Sequence, residues 1–347
     1  MHRCLQLAKL AAGKVAPNPM VGAVLVNDGK IIGEGYHKEF GEAHAEVNCI
    51  NSIKKEDRQL IEKSTLYVSL EPCAHFGKTP PCTDLIIKNK IPKVKIGCKD
   101  IYKEVEGKGI KKLQESGIEV ITGILEKECI ELNKRFFTFH QKQRPYIILK
   151  WAESSNRKIG TDHEMTSPKS SPQKRTFISN EFTNRLVHKW RSEEASILVG
   201  KQTALKDDPS LTTRLWPGKN PIRCVIDNNL TLPLWLKIFD QSAPTIVFNF
   251  LKTDEEKNIK RIKLEDGDLS TLLISMYKQN IQSMIVEGGA ILLQSFIDIG
   301  LWDEARVIRN DQLAIRNGIN SPELKYTSLL KQEKYFTDTI SYFLPSS

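Results

Sequence analysis

Four residues combine types and spacings suited to metal-assisted chemistry: His44, Glu46, Cys73 and Cys82. His44-Ala45-Glu46 stands at the start of a helical pattern, Glu71-Pro72-Cys73 follows a strand-like run, and Cys82 follows Pro80-Pro81. A catalytic zinc takes three protein ligands and keeps a fourth position for water. His44, Cys73 and Cys82 supply that number and type, with Zn2+ the expected ion. His44 and Cys82 are each expected to open a helix, proline suits a first helical turn, and a helix N-terminus favours thiolate over thiol. Glu46 is the expected catalytic residue, because in zinc deaminases a glutamate so placed is not a ligand but shuttles protons to the leaving ammonia. The metal lowers a water's pKa toward ~7, so the reaction expected is hydrolytic deamination of an amidine-like ring carbon. A closed structural site with His75 as fourth ligand is the other reading.

The elements that must position these residues follow from periodicity. Val21–Val26 and Ile31–Gly35 read as a hairpin around Asn27-Asp28-Gly29. Ala43–Lys54, Thr83–Lys90 and Lys108–Ser116 read as helices, while Thr65–Leu70, Val94–Cys98 and Ile118–Ile121 read as strands. That alternation predicts a largely parallel sheet with helices on its faces. A charged helical stretch then runs from Leu125 to Arg144-Pro145. A second alternation begins at Tyr146–Lys150 and continues through Ile197–Val199, Ile222–Ile226, Thr245–Phe248 and Met284–Val286. Residues 1–123 are therefore expected to form one domain, 124–145 a helical linker and 146–347 a second domain. The stretch 161–175, rich in Ser, Pro and Lys, is expected to be a loop.

Composition narrows the class. A chain of 347 residues exceeds what one core usually organises, and 40% hydrophobic with 27% charged residues is ordinary for a globular protein. No apolar run approaches the ~20 residues that cross a bilayer. Met1–Val15 reads as an amphipathic helix rather than a signal peptide, so a cytoplasmic location is expected. Seven scattered cysteines without an export signal do not make a disulfide framework. The net charge of +9 fits a nucleic-acid surface or a phosphorylated substrate, but lysines and acids alternate, as in Lys54-Lys55-Glu56-Asp57-Arg58.

The stretch from Glu71 to Cys82 puts eight residues between the cysteines, where nucleoside and tRNA deaminases have two. That longer form resembles the bifunctional riboflavin-biosynthesis deaminase/reductase family. So do Asn18-Pro19, Val21-Gly22-Ala23-Val24 and Gly33-Glu34-Gly35-Tyr36-His37. The second domain is similar to the family's reductase half through Lys150, Ile197-Leu198-Val199-Gly200, Asp207-Asp208-Pro209-Ser210-Leu211-Thr212 and Val286-Glu287-Gly288-Gly289. The resemblance implies an α/β protein: a cytidine-deaminase-like three-layer domain followed by a dihydrofolate-reductase-like α/β domain. It implies deamination of 2,5-diamino-6-(5-phosphoribosylamino)pyrimidin-4-one, then reduction of the ribosyl group to ribityl with NADPH.

By the same resemblance, Asn18, His37, His75, Lys78 and Asp100 are candidates for the first substrate. His37 reads equally as a structural histidine. Arg191, Leu211, Arg214 and Glu287 are candidates for the second substrate, with Lys150 and Glu287 the catalytic pair for proton transfer. Ala152, Phe177, Thr203, Asp207, Asn228, Gly288 and Gly289 are candidates for NADPH. A glycine pair between strand and helix lets backbone approach a pyrophosphate. One departure stands out: the family's Asp-Gly is replaced by Asn156-Arg157, a residue that adopts positive φ less readily than glycine. Arg157 is expected to obstruct the nicotinamide, leaving NADPH binding intact and reduction poor; the other reading is that Lys158 and the longer Ser/Pro loop restore the geometry and full activity. The family also implies a homodimer or higher homo-oligomer, dimeric through the second domain, and no nucleic acid or membrane partner. The alternatives are a single-activity deaminase with a scaffold second domain, and an RNA-editing deaminase.

Overall fold

The computed structural model describes residues 1–76, 80–101, 106–161 and 177–346. The chain divides into two compact units, Met1–Gln143 and Arg144–Ser347. The expected loop 161–175 falls almost wholly outside the described residues, as does Lys78.

In the first unit α1 (His2–Lys9) precedes β1 (Gly22–Asn27), β2 (Lys30–Tyr36), α2 (Ala45–Asn51), β3 (Thr65–Leu70), α3 (Cys82–Lys88), β4 (Lys93–Cys98), α4 (Lys108–Glu115) and β5 (Glu119–Ile121). Helices α5 (Glu126–Leu132) and α6 (Lys134–Lys142) close it. The sheet order is β2-β1-β3-β4-β5. Only β3, β4 and β5 run parallel; β1 pairs antiparallel with both β2 and β3. Alternate residues of β1 face opposite sides, as strand geometry requires. Ala23 and Leu25 join Cys49, Ile50, Ile86 and Leu113 of α2, α3 and α4. Val24 meets Cys4 and Leu7 of α1, and the same face carries Cys129 and Leu132 of α5 with Phe137 of α6. The result is the three-layer arrangement. Asp28 and Gly29 at the hairpin tip have φ of 43° and 76°, a pair that matches the strand twist.

The second unit begins with β6 (Tyr146–Ser154) and β7 (Lys158–Thr161), then α7 (Glu181–Glu193), β8 (Ser196–Gly200), α8 (Lys201–Asp207), β9 (Ile222–Ile226) and β10 (Thr245–Asn249). It continues with β11 (Asp254–Glu256), β12 (Ile259–Lys263), α9 (Leu269–Lys278), β13 (Ser283–Val286), α10 (Ala290–Asp298) and β14 (Glu304–Asn310). Strands β15 (Gly318–Asn320), β16 (Thr327–Tyr335) and β17 (Asp338–Pro345) end the chain. The described residues form a sheet in the order β11-β12-β10-β9-β8-β13-β6-β14-β17-β16. The run from β12 to β14 is parallel. Strands covered on both faces must be apolar on both. Accordingly Ile147 and Leu149 of β6 pack with Leu272 of α9 and Phe296 of α10, while Tyr146 and Ile148 pack with Val187 and Trp190 of α7.

Lys150 was expected at a strand end, yet β6 runs on to Ser154 because β14 pairs with it as far as Asn310. The neighbour that does end there is β13, whose last residue, Val286, pairs with Leu149. Lys150 and Glu287 therefore meet where one side of β6 is left open. Among the described residues no helix is long and apolar enough to cross a membrane.

Candidate functional site

In the first unit the local sequence brings the expected ligands together. His44 is the N-cap of α2, and Cys82 is the first residue of α3. Gly35 of β2 lets α2 press on the sheet, since a Cβ there would overlap the helix backbone at Ala45 and Cys49. Cys73 lies three residues past β3, and its carbonyl accepts from the backbone N–H and hydroxyl of Thr83 in α3. Nδ1 of His44 stands 3.6 Å from the Cys73 sulfur and 3.4 Å from the Cys82 sulfur. A tetrahedral zinc with ordinary Zn–N and Zn–S lengths puts N and S ligand atoms about 3.6 Å apart. The three ligand atoms all lie within 4.8 Å of one another, so the donor set fits zinc. No fourth His, Cys, Asp or Glu among the described residues joins the cluster, and His75 is not part of it.

The electrostatics suit that reading. The Cys73 thiol is pulled down to about 4 by hydrogen bonding from the Cys82 thiol, with further help from His44 and the Cys82 backbone N–H, which lies 3.4 Å from its sulfur. Glu46, in the first turn of α2, is 3% exposed. Burial, then the negative charge at Cys73, raises its carboxyl pKa above the usual range. A carboxyl with its pKa raised in this way is suited to take and return a proton.

The expected substrate residues of this unit divide. His37 donates through Nδ1 to the Ala43 carbonyl, so its Nε2 accepts from the Asn18 amide at 3.1 Å. Both ring nitrogens are occupied, and burial lowers the pKa, keeping the ring neutral. Its ring stands edge-on to His44 at 5.5 Å between centroids. His75 is half-buried, and its Nδ1 is buried with no partner among the described residues. Asp100 follows β4 and is buried.

Glu71, which precedes the Pro-Cys pair, has a part of its own in the site. The carboxylate is 4% exposed and accepts backbone N–H groups from Asp100 (3.3 Å), Gly107 (3.1 Å), Gly109 (3.0 Å) and Ile110 (3.2 Å). It ties the segment after β4 to the segment that carries Cys73. The signal was an acid between a strand and Pro-Cys, where an exposed acid has no reason to sit.

In the second unit a cavity of about 1360 Å³ opens at the C-terminal ends of β8, β9 and β13, the usual ligand position in an open α/β sheet. The expected catalytic residues Lys150 and Glu287 line it, as do Arg191, Leu211 and Arg214. So do Ala152, Phe177, Thr203, Asp207, Asn228, Gly288 and Gly289. Gly288-Gly289 joins β13 to α10, and the Gly289 N–H donates to the Thr203 hydroxyl at 2.9 Å. Asp208, beside Asp207, also lines the cavity; it pairs with the Lys237 ammonium and accepts the Lys237 backbone N–H.

Glu287 holds the catalytic end of the cavity. Arg191 grips it with two bonds of 2.9 and 2.7 Å, and Lys150 stands 3.3 Å away. Burial alone would raise the Glu287 carboxyl, but the charges of Arg191 and Lys150 outweigh it and hold the carboxyl well below the usual range. Glu287 is thus ionised between two cations.

Arg157, the expected obstacle, does not line the cavity. Arg157 takes a φ of 59°, and its guanidinium turns to the Pro322 carbonyl at 3.5 Å, so it is not among the residues lining the cavity. The side chain of Asn156 bonds both backbone groups of Ile315, donating at 2.8 Å and accepting at 3.1 Å. An amide does this where a carboxylate could only accept.

With both sites described, comparison with known proteins gives them a common setting. The cytidine and deoxycytidylate deaminase zinc-binding region matches residues 1–98, and the RibD C-terminal domain matches residues 145–310. A riboflavin biosynthesis protein RibD from Aquifex aeolicus is 39% identical over 310 residues, covering 87% of this chain and 83% of that protein. The RibD protein of Bacillus amyloliquefaciens is 39% identical over 315 residues, covering 88% and 81%. A crystal structure of a diaminohydroxyphosphoribosylaminopyrimidine deaminase/5-amino-6-(5-phosphoribosylamino)uracil reductase from Thermotoga maritima superposes with a TM-score of 0.88 at 34% identity, covering 99% of this chain and 97% of that one. A metal cluster matched by one domain model and a cavity matched by another, in one chain so like these proteins from end to end, place it in the RibD family of riboflavin biosynthesis proteins.

Proposed function

We propose that the first unit hydrolytically removes the 2-amino group of 2,5-diamino-6-(5-phosphoribosylamino)pyrimidin-4-one, and that the second then reduces the ribosyl group to ribityl. The observation that carries this reading is the three-donor cluster of His44, Cys73 and Cys82, which no fourth donor among the described residues joins, with Glu46 buried two residues past His44. A closed four-ligand site would serve structure; an open one serves a reacting water. Zinc, when held there, supplies a water that ionises near neutral pH, and NADPH in the second unit supplies a hydride donor.

The chain's own residues do the rest. Glu46 takes one proton from the attacking water to the ring nitrogen, then carries the second from the new hydroxyl to the amino group, which leaves as ammonia while the ring carbon keeps the oxygen. Asn18, its amide oriented by His37, offers its oxygen to a donor on the ring edge. The orphaned Nδ1 of His75 awaits a ligand. Lys78, by resemblance, meets the phosphate. In the second unit Lys150 is the proton donor beside the carbon that receives hydride, and Glu287 keeps it charged and in place. Arg191 and Arg214 line the cavity and suit an anionic sugar phosphate, and the eight-residue cysteine spacing argues against an RNA-editing enzyme. The furnished cavity argues against a scaffold. A cytoplasmic location and assembly into a homodimer or higher homo-oligomer belong to the same reading.

Ammonia release from the diaminopyrimidinone nucleotide, set beside zinc content, tests it. Glu46→Gln should keep its zinc and lose release by about a hundredfold or more. Zinc lost with Glu46, or release undiminished, would contradict the assignment.

A further inference from the structure

Resting on the reductase reading, we propose that Lys201 selects the cofactor, donating a hydrogen bond to the 2′-phosphate that distinguishes NADPH from NADH. The strand order β9-β8-β13-β6 fixes where the ends of a dinucleotide fall. Lys150 of β6 and Glu287, just past β13, mark the end where hydride is delivered. Gly288-Gly289 and Thr203 follow β13 and β8 in the middle of the cavity, where backbone can approach a pyrophosphate. Neighbouring strands lie ~4.8 Å apart, so the end of β9 stands roughly 14 Å from β6, a span that an extended dinucleotide covers. This order puts the adenosine ribose between the ends of β8 and β9, where Lys201 and Asn228 line the cavity.

In dinucleotide sites of open α/β sheets an acid past a strand end binds the ribose 2′-hydroxyl of NADH, and such an acid repels a 2′-phosphate. Asp227 follows β9 in that place, but its carboxylate is already engaged within the protein. It is 1% exposed, and one of its oxygens accepts the Leu232 backbone N–H at 2.7 Å. The other stands 3.3 Å from the Lys201 ammonium and accepts from the Thr231 hydroxyl at 3.4 Å. Lys201 also donates to the Thr231 hydroxyl, so two of its three N–H groups are engaged and its head is fixed in place. The Lys201 side chain remains 33% exposed on the cavity lining, so its third N–H is within a ligand's reach. The acid that suits NADH is buried under the cation that suits NADPH. Lys237 also lines the cavity, but its ammonium pairs with Asp208 at 3.1 Å.

The test measures binding of NADPH and NADH to the full zinc-loaded chain by fluorescence titration, without turnover. The wild-type chain should bind NADPH the more tightly. Lys201→Ala should weaken NADPH about tenfold or more and leave NADH affinity unchanged, whereas Lys201→Arg should keep the preference. Adenosine 2′,5′-bisphosphate, which carries the phosphate without the nicotinamide, should lose affinity in Lys201→Ala as NADPH does; adenosine 5′-monophosphate should not. Lys206→Ala, a change to another lysine of the cavity lining, should leave the preference intact. Unchanged NADPH affinity in Lys201→Ala, an equal loss for NADH, or a preference that vanishes in Lys206→Ala instead overturns the proposal and leaves the reductase reading standing. If the wild-type chain binds neither dinucleotide, the reductase reading itself falls, and this proposal with it.

Discussion

The two sites of this chain are built in opposite ways. The zinc cluster is drawn from a short span, His44 to Cys82, with each ligand fixed by an adjacent element end. The cavity of the second unit is assembled from residues as far apart as Lys150 and Glu287, 137 positions in sequence, brought together only when β13 docks beside β6. A metal demands a few donors at set distances, so its residues appear as a compact motif. A dinucleotide and a sugar phosphate demand a long surface, so theirs are scattered over strand ends and are interpretable only through the fold.

The largest expected effect breaks the comparison at its local end. Cys73→Ser or Cys82→Ser should lose zinc and deamination by several orders of magnitude, yet reduce the deaminated intermediate at the wild-type rate. Zinc analysis beside the two assays decides it. Full zinc in both variants, or equal loss of reduction, would sink the idea of two independent sites.

Next comes the distributed end. Glu287→Gln removes the carboxylate charge that Lys150 and Arg191 share, and should cost about 3 kcal/mol of the second unit's stability in denaturant unfolding. The sign with pH follows from the depressed carboxyl. Its stabilisation is complete above the ordinary glutamate pKa of ~4.3 and is lost as pH falls toward the lower folded value. The wild-type chain should therefore lose stability below about pH 4.5 more steeply than the variant. Parallel acid slopes would show that the triad contributes nothing.

How much was legible follows the same division. The hairpin was readable because Asn-Asp-Gly between alternating runs leaves few other conformations. The ligands were readable because residue type and helix start coincide. Helix α2 proved shorter than Ala43–Lys54 because His44 caps it and the chain turns at Ser52. The charged stretch after residue 124 is two helices, α5 and α6, parted at Asn133, whose side chain bonds both backbone groups of Met20. The C-terminal β16–β17 pair was not anticipated: β16 is mostly exposed and carries no apolar alternation to reveal it. Nor could the sequence tell where Arg157 points, since that depends on Pro322 far along the chain.

That last point yields the smallest expected effect. Arg157→Gly relieves a residue held at positive φ, a gain of at most about 1 kcal/mol, and should leave the reduction rate unchanged because the side chain lies outside the cavity. A large rise in rate would restore Arg157 as an obstacle.

The central claim is that one chain holds two complete and separate chemistries. Incubating purified protein with the diaminopyrimidinone nucleotide, with and without NADPH, and identifying the products by mass tests it most directly. Without NADPH the product should carry oxygen in place of the ring amino group and stop there; with NADPH it should gain two further hydrogens. Unchanged substrate in both, or a deaminated product that NADPH leaves unreduced, would contradict the account.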